Sequence, residues 1–148
     1  MFFKQRPSFS PEQEQAILAA IATAEEGCLA EIRVHLDGKR NFDAFKRAKR
    51  IFTRLKMDET AQRNGILIYV VPKSHKYVVL GDIGIHEKVG DEFWEHVSSA
   101  MREEFAQDNL SQGIINAITI CGEKLKKYFP IIDGEGNDNE LPDEISRS

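Results

Sequence analysis

The chain has few of the residues that declare covalent or metal chemistry by spacing alone. Its two cysteines, Cys28 and Cys121, lie far apart and neither belongs to a CxxC pair. That argues against a disulfide framework and a thiolate zinc centre, and leaves both as small buried hydrophobes. No apolar run approaches the ~20 residues needed to span a bilayer. The start, MFFKQRPSF, returns to charge after two phenylalanines and lacks the apolar stretch of a secretory signal. These absences lead to the expectation of a soluble, cytoplasmic protein. The four histidines, His35, His75, His86 and His96, show neither HxxxH nor HExxH spacing. There is no glycine-rich phosphate loop with a lysine and no GxSxG elbow. No serine or cysteine has an evident base by spacing, and no internal repeat is present.

What is there is the composition of one globular domain: 148 residues, 41% hydrophobic and 30% charged. A chain of this length buries a core without staples. The net charge of −4 is uneven. From residue 130 onward six acids (Asp133, Glu135, Asp138, Glu140, Asp143 and Glu144) face only Arg147, so the body is close to neutral. The acidity therefore says little about what the body binds.

Ser10-Pro11-Glu12-Gln13 predicts a helix start. Ser10 caps, Pro11 suits the first helical position, and Gln13 completes a capping box. Ile17, Leu18 and Ile21 form its apolar face with Ala20 and Ala24 beside them, and Gly27 ends it. Residues 30–36 alternate strictly, which predicts a strand with Ile32, Val34 and Leu36 on one side and Glu31, Arg33 and His35 on the other. Asp37-Gly38 then makes a turn. Asn41 is expected to cap a second helix, in which Phe42, Phe45, Ala48, Phe52 and Leu55 recur at helical spacing and Ile51 widens the stripe.

Gly65–Val71 is a continuous apolar run rich in β-branched residues, as in a strand covered on both faces. After a turn at residues 72–75, residues 77–80 return antiparallel, since too few residues intervene for a crossover. The helix between the first two strands is long enough for a parallel crossover. Beyond Gly81-Asp82-Ile83-Gly84, Asp91 is expected to cap a third helix with Trp94, Val97, Met101 and Phe105 inward. A fourth carries Ile114, Ala117, Ile118, Cys121 and Leu125 on one face and stops at Phe129-Pro130. The order α-β-α-β-β-α-α predicts an α/β fold, a small mixed sheet sandwiched by helices. The expected layout is an extension over residues 1–8, a domain over 9–130, and an acidic tail over 131–148 that is expected to be disordered.

Strand direction brings candidate residues together. The third strand runs against the other two, so its C-terminal end lies beside their starts. Asp82, the Arg63-Asn64 pair and Glu31 then share one rim, within reach of Glu25-Glu26 and Asp58-Glu59. Oxygen ligands from loop ends suit a hard cation such as calcium or magnesium, and glycines beside Asp82 allow close backbone approach. The competing reading makes Asp82 a turn cap and pairs Glu31 with Arg33 or Arg63.

The ordered set AEIRVHL (30–36), RNGILIYVV (63–71), KYVVLGDIGIHEKVGDEFW (76–94) and GEKLKKYFP (122–130) resembles the TPM domain, a family of plant thylakoid acid-phosphatase-like proteins and bacterial relatives. The resemblance covers about residues 9 to 130. It implies a three-layer α/β/α sandwich, a divalent-cation site at a sheet edge, commonly for calcium, and a phosphatase activity in some members. By position, Glu31, Asn64 and Asp82 match the family's metal-site residues. His86, Glu87 and Arg63 are additional candidates. Two departures stand out: the stretch from Arg6 to Ser10 has no acid where many members carry an aspartate, and Arg63 stands where many carry an acid near the Asn-Gly pair. One carboxylate fewer and one cation more should weaken divalent binding.

Three functions follow as expectations. The first is a calcium- or magnesium-binding accessory domain with weak or no catalysis. The second is a metal-assisted phosphomonoesterase in which the cation polarises the phosphoryl group and activates water, with no catalytic residue assigned. The third is a protein-interaction module using the basic stripe Lys46, Arg47, Arg50 and Arg54 or the acidic tail. That stripe reads more simply as the solvated side of the second helix than as a nucleic-acid surface. The tail has acids and amides at EF-hand-like spacings (Asp133, Glu135, Asn137, Asn139, Glu144). However, Asp138 replaces the required glycine and no helix follows.

Overall fold

The computed structural model describes residues 9–38, 43–131 and 144–148. Helix α1 spans Pro11–Gly27, and Ser10 and Gln13 form the capping box, each side chain bonding the other's backbone N–H. Strand β1 is Glu31–Leu36. Helix α2, Ala44–Arg54, is capped by Asp43, whose carboxylate accepts from Lys46 N. Asn41 and Phe42, expected at this start, lie outside the described residues, as do the 1–8 extension and the tail's Asp133, Glu135, Asn137, Asp138, Asn139, Glu140 and Asp143. Strands β2 (Gly65–Val71) and β3 (Lys76–Gly81) form the hairpin read from the sequence. Helices α3 (Ile83–Phe105) and α4 (Leu110–Tyr128) follow, and Ile145–Arg147 forms a short strand β4.

The sheet order is β3-β2-β1-β4. β1 pairs parallel with β2 and with β4, while β2 and β3 are antiparallel. One face carries Ile32, Val34, Leu36, Ile66, Ile68 and Val70, which pack with buried residues of α1, α3 and α4. The other carries Leu67, Tyr69 and Val71 against Ala48 and Ile51 of α2, and Met57. The result is the expected α/β/α sandwich. Cys28 and Cys121 are both free and buried in the larger core, and burial raises both thiols, Cys121 to about 12. Among the described residues, no helix is long and apolar enough to cross a membrane.

Four details depart from the sequence reading. Helix α3 begins eight residues before Asp91, and Gly90, with φ 75° and ψ 176°, breaks it into two segments. Only glycine adopts that backbone cheaply. Phe45, expected inward, is 52% exposed and lies under the Lys49 ammonium. Arg47 does not belong to a solvated stripe, since its guanidinium turns in to a buried carboxylate. Finally, residues 145–147, inside the stretch expected to be disordered, form a strand beside β1. All six β1 residues are buried, including Glu31, Arg33 and His35 on its polar side. α2 and β4 therefore cover what alternation alone reads as a solvent face.

Candidate functional site

The start of β2 lies between the start of β1 and the end of β3, so three chain segments meet at one rim. Glu31 N donates to Asn64 O at 3.0 Å, and Asp82 N donates to Gly65 O at 2.9 Å. Glu31, Asn64 and Asp82 are 1%, 3% and 7% exposed. The backbone convergence expected from strand direction is therefore present. Gly84 makes it possible: a Cβ there would lie 2.3 Å from Gln62 O and 2.6 Å from Arg63 O. Helix α3 can start against this loop only without a side chain at that position.

The Asp82 carboxylate has two partners. Oδ1 accepts from Ile83 N at 2.8 Å, capping α3. Arg63 grips both oxygens, Nε to Oδ2 at 2.6 Å and Nη2 to Oδ1 at 2.9 Å. This bidentate pair raises the Arg63 pKa further, through its hydrogen bond and charge contact with Asp82. Arg63 itself sits in left-handed backbone, φ 51°, and its side chain is about half exposed. Asp82 thus caps helix α3 and not a turn, and Arg63, expected as a partner of Glu31, is bound to Asp82. Arg33 pairs instead with Glu144 at 2.5 Å.

Other oxygens at this rim lack a donor. Asn64 N donates to Thr60 Oγ1 at 3.2 Å, and Asn64 Nδ2 donates to Leu29 O at 2.5 Å. Asn64 Oδ1 is buried with no hydrogen-bond partner, and so is Asp58 Oδ1. An acceptor buried without a donor costs on the order of 1–3 kcal/mol. A cleft of about 350 Å³ opens here between α2 and the end of β3, lined by Lys49, Thr53, Asp58, Arg63 and Asp82 among others. Glu25, expected to reach this region from its loop, is 6% exposed, and its Oε2 accepts from Ile32 N at 3.4 Å. Among the described residues, no group of three or more histidine, cysteine, aspartate or glutamate side chains is arranged to hold a metal ion. The donor chemistry, amide and carboxylate oxygens, fits a hard cation. The Arg63 guanidinium would have to leave Asp82 to make room.

His86 and Glu87 lie on the first segment of α3. His86 Nδ1 accepts from Trp94 Nε1 at 3.1 Å, and its Nε2 is 4.0 Å from Asp91. Glu87 is exposed. Lys49 and Thr53 were not legible as cleft residues, because helical periodicity marks them only as the solvent side of α2.

A second polar cluster lies at the opposite end of β1; of its members the sequence points only to His35, on the polar side of its strand. Asp37, wholly buried, accepts from Tyr69 OH at 2.5 Å and from Arg47 Nε at 2.9 Å. Burial, followed by the hydrogen bond to Asp37, raises the Tyr69 phenol. The His35 ring is parallel to Tyr69, centroids 6.0 Å apart, and its nitrogens lie 2.7 Å from Ser146 Oγ and from Ser148 Oγ.

Nothing among functionally curated proteins matches the chain. The chain is similar in structure to the BA42 protein from the psychrophilic bacterium Bizionia argentinensis, with a TM-score of 0.90, 40% identity, and coverage of 98% of this chain and 99% of that one. It shares its fold with the N-terminal domain of the cg2496 protein from Corynebacterium glutamicum, at TM-score 0.64, 13% identity and coverage of 84% and 87%. A domain from P. gingivalis gives 0.66, 13%, 82% and 78%. The TPM domain profile matches residues 3–124. With most of its length inside that profile and its sheet built as the resemblance implies, the chain belongs to the TPM domain family.

Proposed function

We propose that this TPM domain binds a divalent cation, calcium ahead of magnesium, at the rim formed by Glu31, Asn64 and Asp82, with Asp58 as a fourth oxygen source. The observation that carries this reading is the pair of buried acceptors, Asn64 Oδ1 and Asp58 Oδ1, that have no donor. Asn64 adjoins the backbone junction of β1 and β2, and Asp58 lines the same cleft as Asp82. A hard cation supplies what a backbone N–H does not: a positive centre several oxygens share. Arg63 competes for Asp82, so binding is weak, with a dissociation constant on the order of millimolar.

The phosphatase reading has less support. His86, a group able to pass on a proton, is engaged by Trp94 on the exposed side of α3. The interaction-module reading loses Arg47 from its basic stripe. The test is a calcium titration followed by amide NMR. Shifts are expected at Glu31, Asn64, Gly65 and Asp82, and Asp58→Asn combined with Asn64→Leu should remove them. A spectrum unmoved by several millimolar calcium would refute the reading.

A further inference from the structure

The edge of β1 is built like a receptor. β4 adds to it in parallel, with Val34 opposite Ile145, His35 opposite Ser146 and Leu36 opposite Arg147. Ser148 N donates to Leu36 O at 3.0 Å, and Gly38 N donates to Ser148 O at 2.8 Å. Side chains add selection on top of this ladder. Arg33 holds Glu144 at 2.5 Å. Ile145 packs on the larger core from the opposite face. His35 contacts both serines, two positions apart on one face of the strand. Ser146 Oγ also donates to Val34 O at 3.4 Å, so it accepts from His35 Nδ1–H, and His35 Nε2 accepts from the Ser148 hydroxyl.

The two halves of this contact are unequal. Arg33 and His35 are buried on the sheet. The ring parallel to His35 is Tyr69, fixed through its hydroxyl to Asp37, which Arg47 also grips. None of those three belongs to the tail, so the His35 ring is oriented without it. β4, by contrast, is only three residues long, and Glu144, Arg147 and Ser148 are exposed. An empty edge would take from Arg33 and His35 the side-chain partners they have there.

We propose that the β1 edge is a strand-docking site for an extended segment of the form acid–aliphatic–serine–base–serine, occupied in cis by residues 144–148, whose Arg147 pairs with Glu14 of α1, and open to exchange with such a segment in trans. The main-chain ladder provides affinity and Arg33, His35 and the Ile145 seat provide selection, the division found in strand addition. His35 must stay neutral to accept from a hydroxyl. Burial and the nearby Arg33, Arg47 and Arg54 hold it so against the opposing pull of Asp37, lowering its pKa from 6.5 to about 4. The covalently attached strand competes at an effective concentration on the order of millimolar, so an added peptide should bind the parent poorly.

The test uses the full chain carrying Ile145→Asp and Ser146→Pro, which remove the apolar anchor and break the ladder. The probe is an acetylated Glu-Ile-Ser-Arg-Ser peptide. It should shift amide signals of residues 34–38 at concentrations about tenfold lower in this variant than in the parent. A peptide with alanine for both serines, or lysine for the glutamate, should bind about tenfold more weakly. Absence of shifts at 34–38, or equal binding of all three peptides, overturns the proposal. Hydrogen exchange on the unaltered chain guards against a variant that fails to fold. The Ser148 amide should exchange at least about a hundredfold faster than those of Ile66 and Ile68. Equal protection would make β4 an inseparable part of the sheet and would also overturn the proposal.

Discussion

The two ends of β1 treat polar side chains in opposite ways. At its C-terminal end Asp37, Tyr69 and Arg47 bond one another, and His35 reaches Ser146 and Ser148. At its N-terminal end Asn64 Oδ1 and Asp58 Oδ1 are buried without donors, and Asp82 is gripped by an arginine that is half exposed. Burial is similar at both ends, but satisfaction is not. A closed polar network rigidifies a fold. Unmet acceptors store a cost that a ligand can relieve. The contrast separates the fixed Asp37–Tyr69–Arg47 network from a candidate cation site more sharply than charge or position does.

The closed end should break hardest. Asp37→Ala removes the carboxylate on which Tyr69 and Arg47 converge, leaving a buried hydroxyl and a guanidinium without their acceptor. The expected loss is about 3–5 kcal/mol, a fall in Tm on the order of 10 °C, read by thermal denaturation. Tyr69→Phe keeps the ring parallel to His35 and should cost less, about 1–2 kcal/mol. A loss for Asp37→Ala no larger than that of Tyr69→Phe would mean the network is solvated and the contrast between the ends is false.

The next effect is one of pH. The His35 pKa falls from 6.5 to about 4, first through burial and then through Arg54, Arg47 and Arg33, with Asp37 opposing. Because the folded value is depressed, its stabilising share is complete above pH 6.5. It is lost as pH falls through the window toward 4, where the unfolded chain takes up a proton that the folded one refuses. The loss at the bottom of that window is about 3 kcal/mol relative to neutral pH. Urea unfolding at both ends of the window should show it, and His35→Gln should lose less stability than the parent over the same interval. Equal losses would place His35 in contact with water.

Much of the layout is legible from the chain itself, because it rests on local rules. The capping box at Ser10 and Gln13, the both-faces-buried run of β2 and the apolar stripe of α4 follow from spacing alone. The shared rim of Glu31, Asn64 and Asp82 follows from strand direction. What escapes depends on partners distant in sequence. β4 sits in an acidic stretch with disorder-like composition, and its hold comes from Arg33 and His35, more than a hundred residues earlier. The early start of α3 is hidden because Gly84 and Gly90 read as breakers. Gly84 is required by carbonyls of another loop, and Gly90 does interrupt the helix, but a helical segment already precedes it. Arg63 is visible as a departure from the family pattern, but its bidentate grip on Asp82 requires the folded rim.

That grip provides the subtlest way to sharpen the contrast. If Asp82 belongs to a cation site, Arg63 is an internal competitor, and freeing the carboxylate should favour the external cation. Arg63→Gln removes the charge while keeping a polar side chain over the cleft. Because the arginine is half exposed, little stability is at stake, so Tm should hardly move. Calcium affinity should rise about tenfold, the scale of one removed charge contact near a surface. Calorimetric titration of parent and variant at matched ionic strength would measure it. Asp82→Asn should lower affinity in both backgrounds, because it weakens a ligand and not the competitor. Were Arg63→Gln to leave calcium binding unchanged while Asp58→Asn abolished it, the cation would sit on the Asp58 side of the cleft. The Arg63–Asp82 pair would then be a structural clamp, like the network at the other end of the strand.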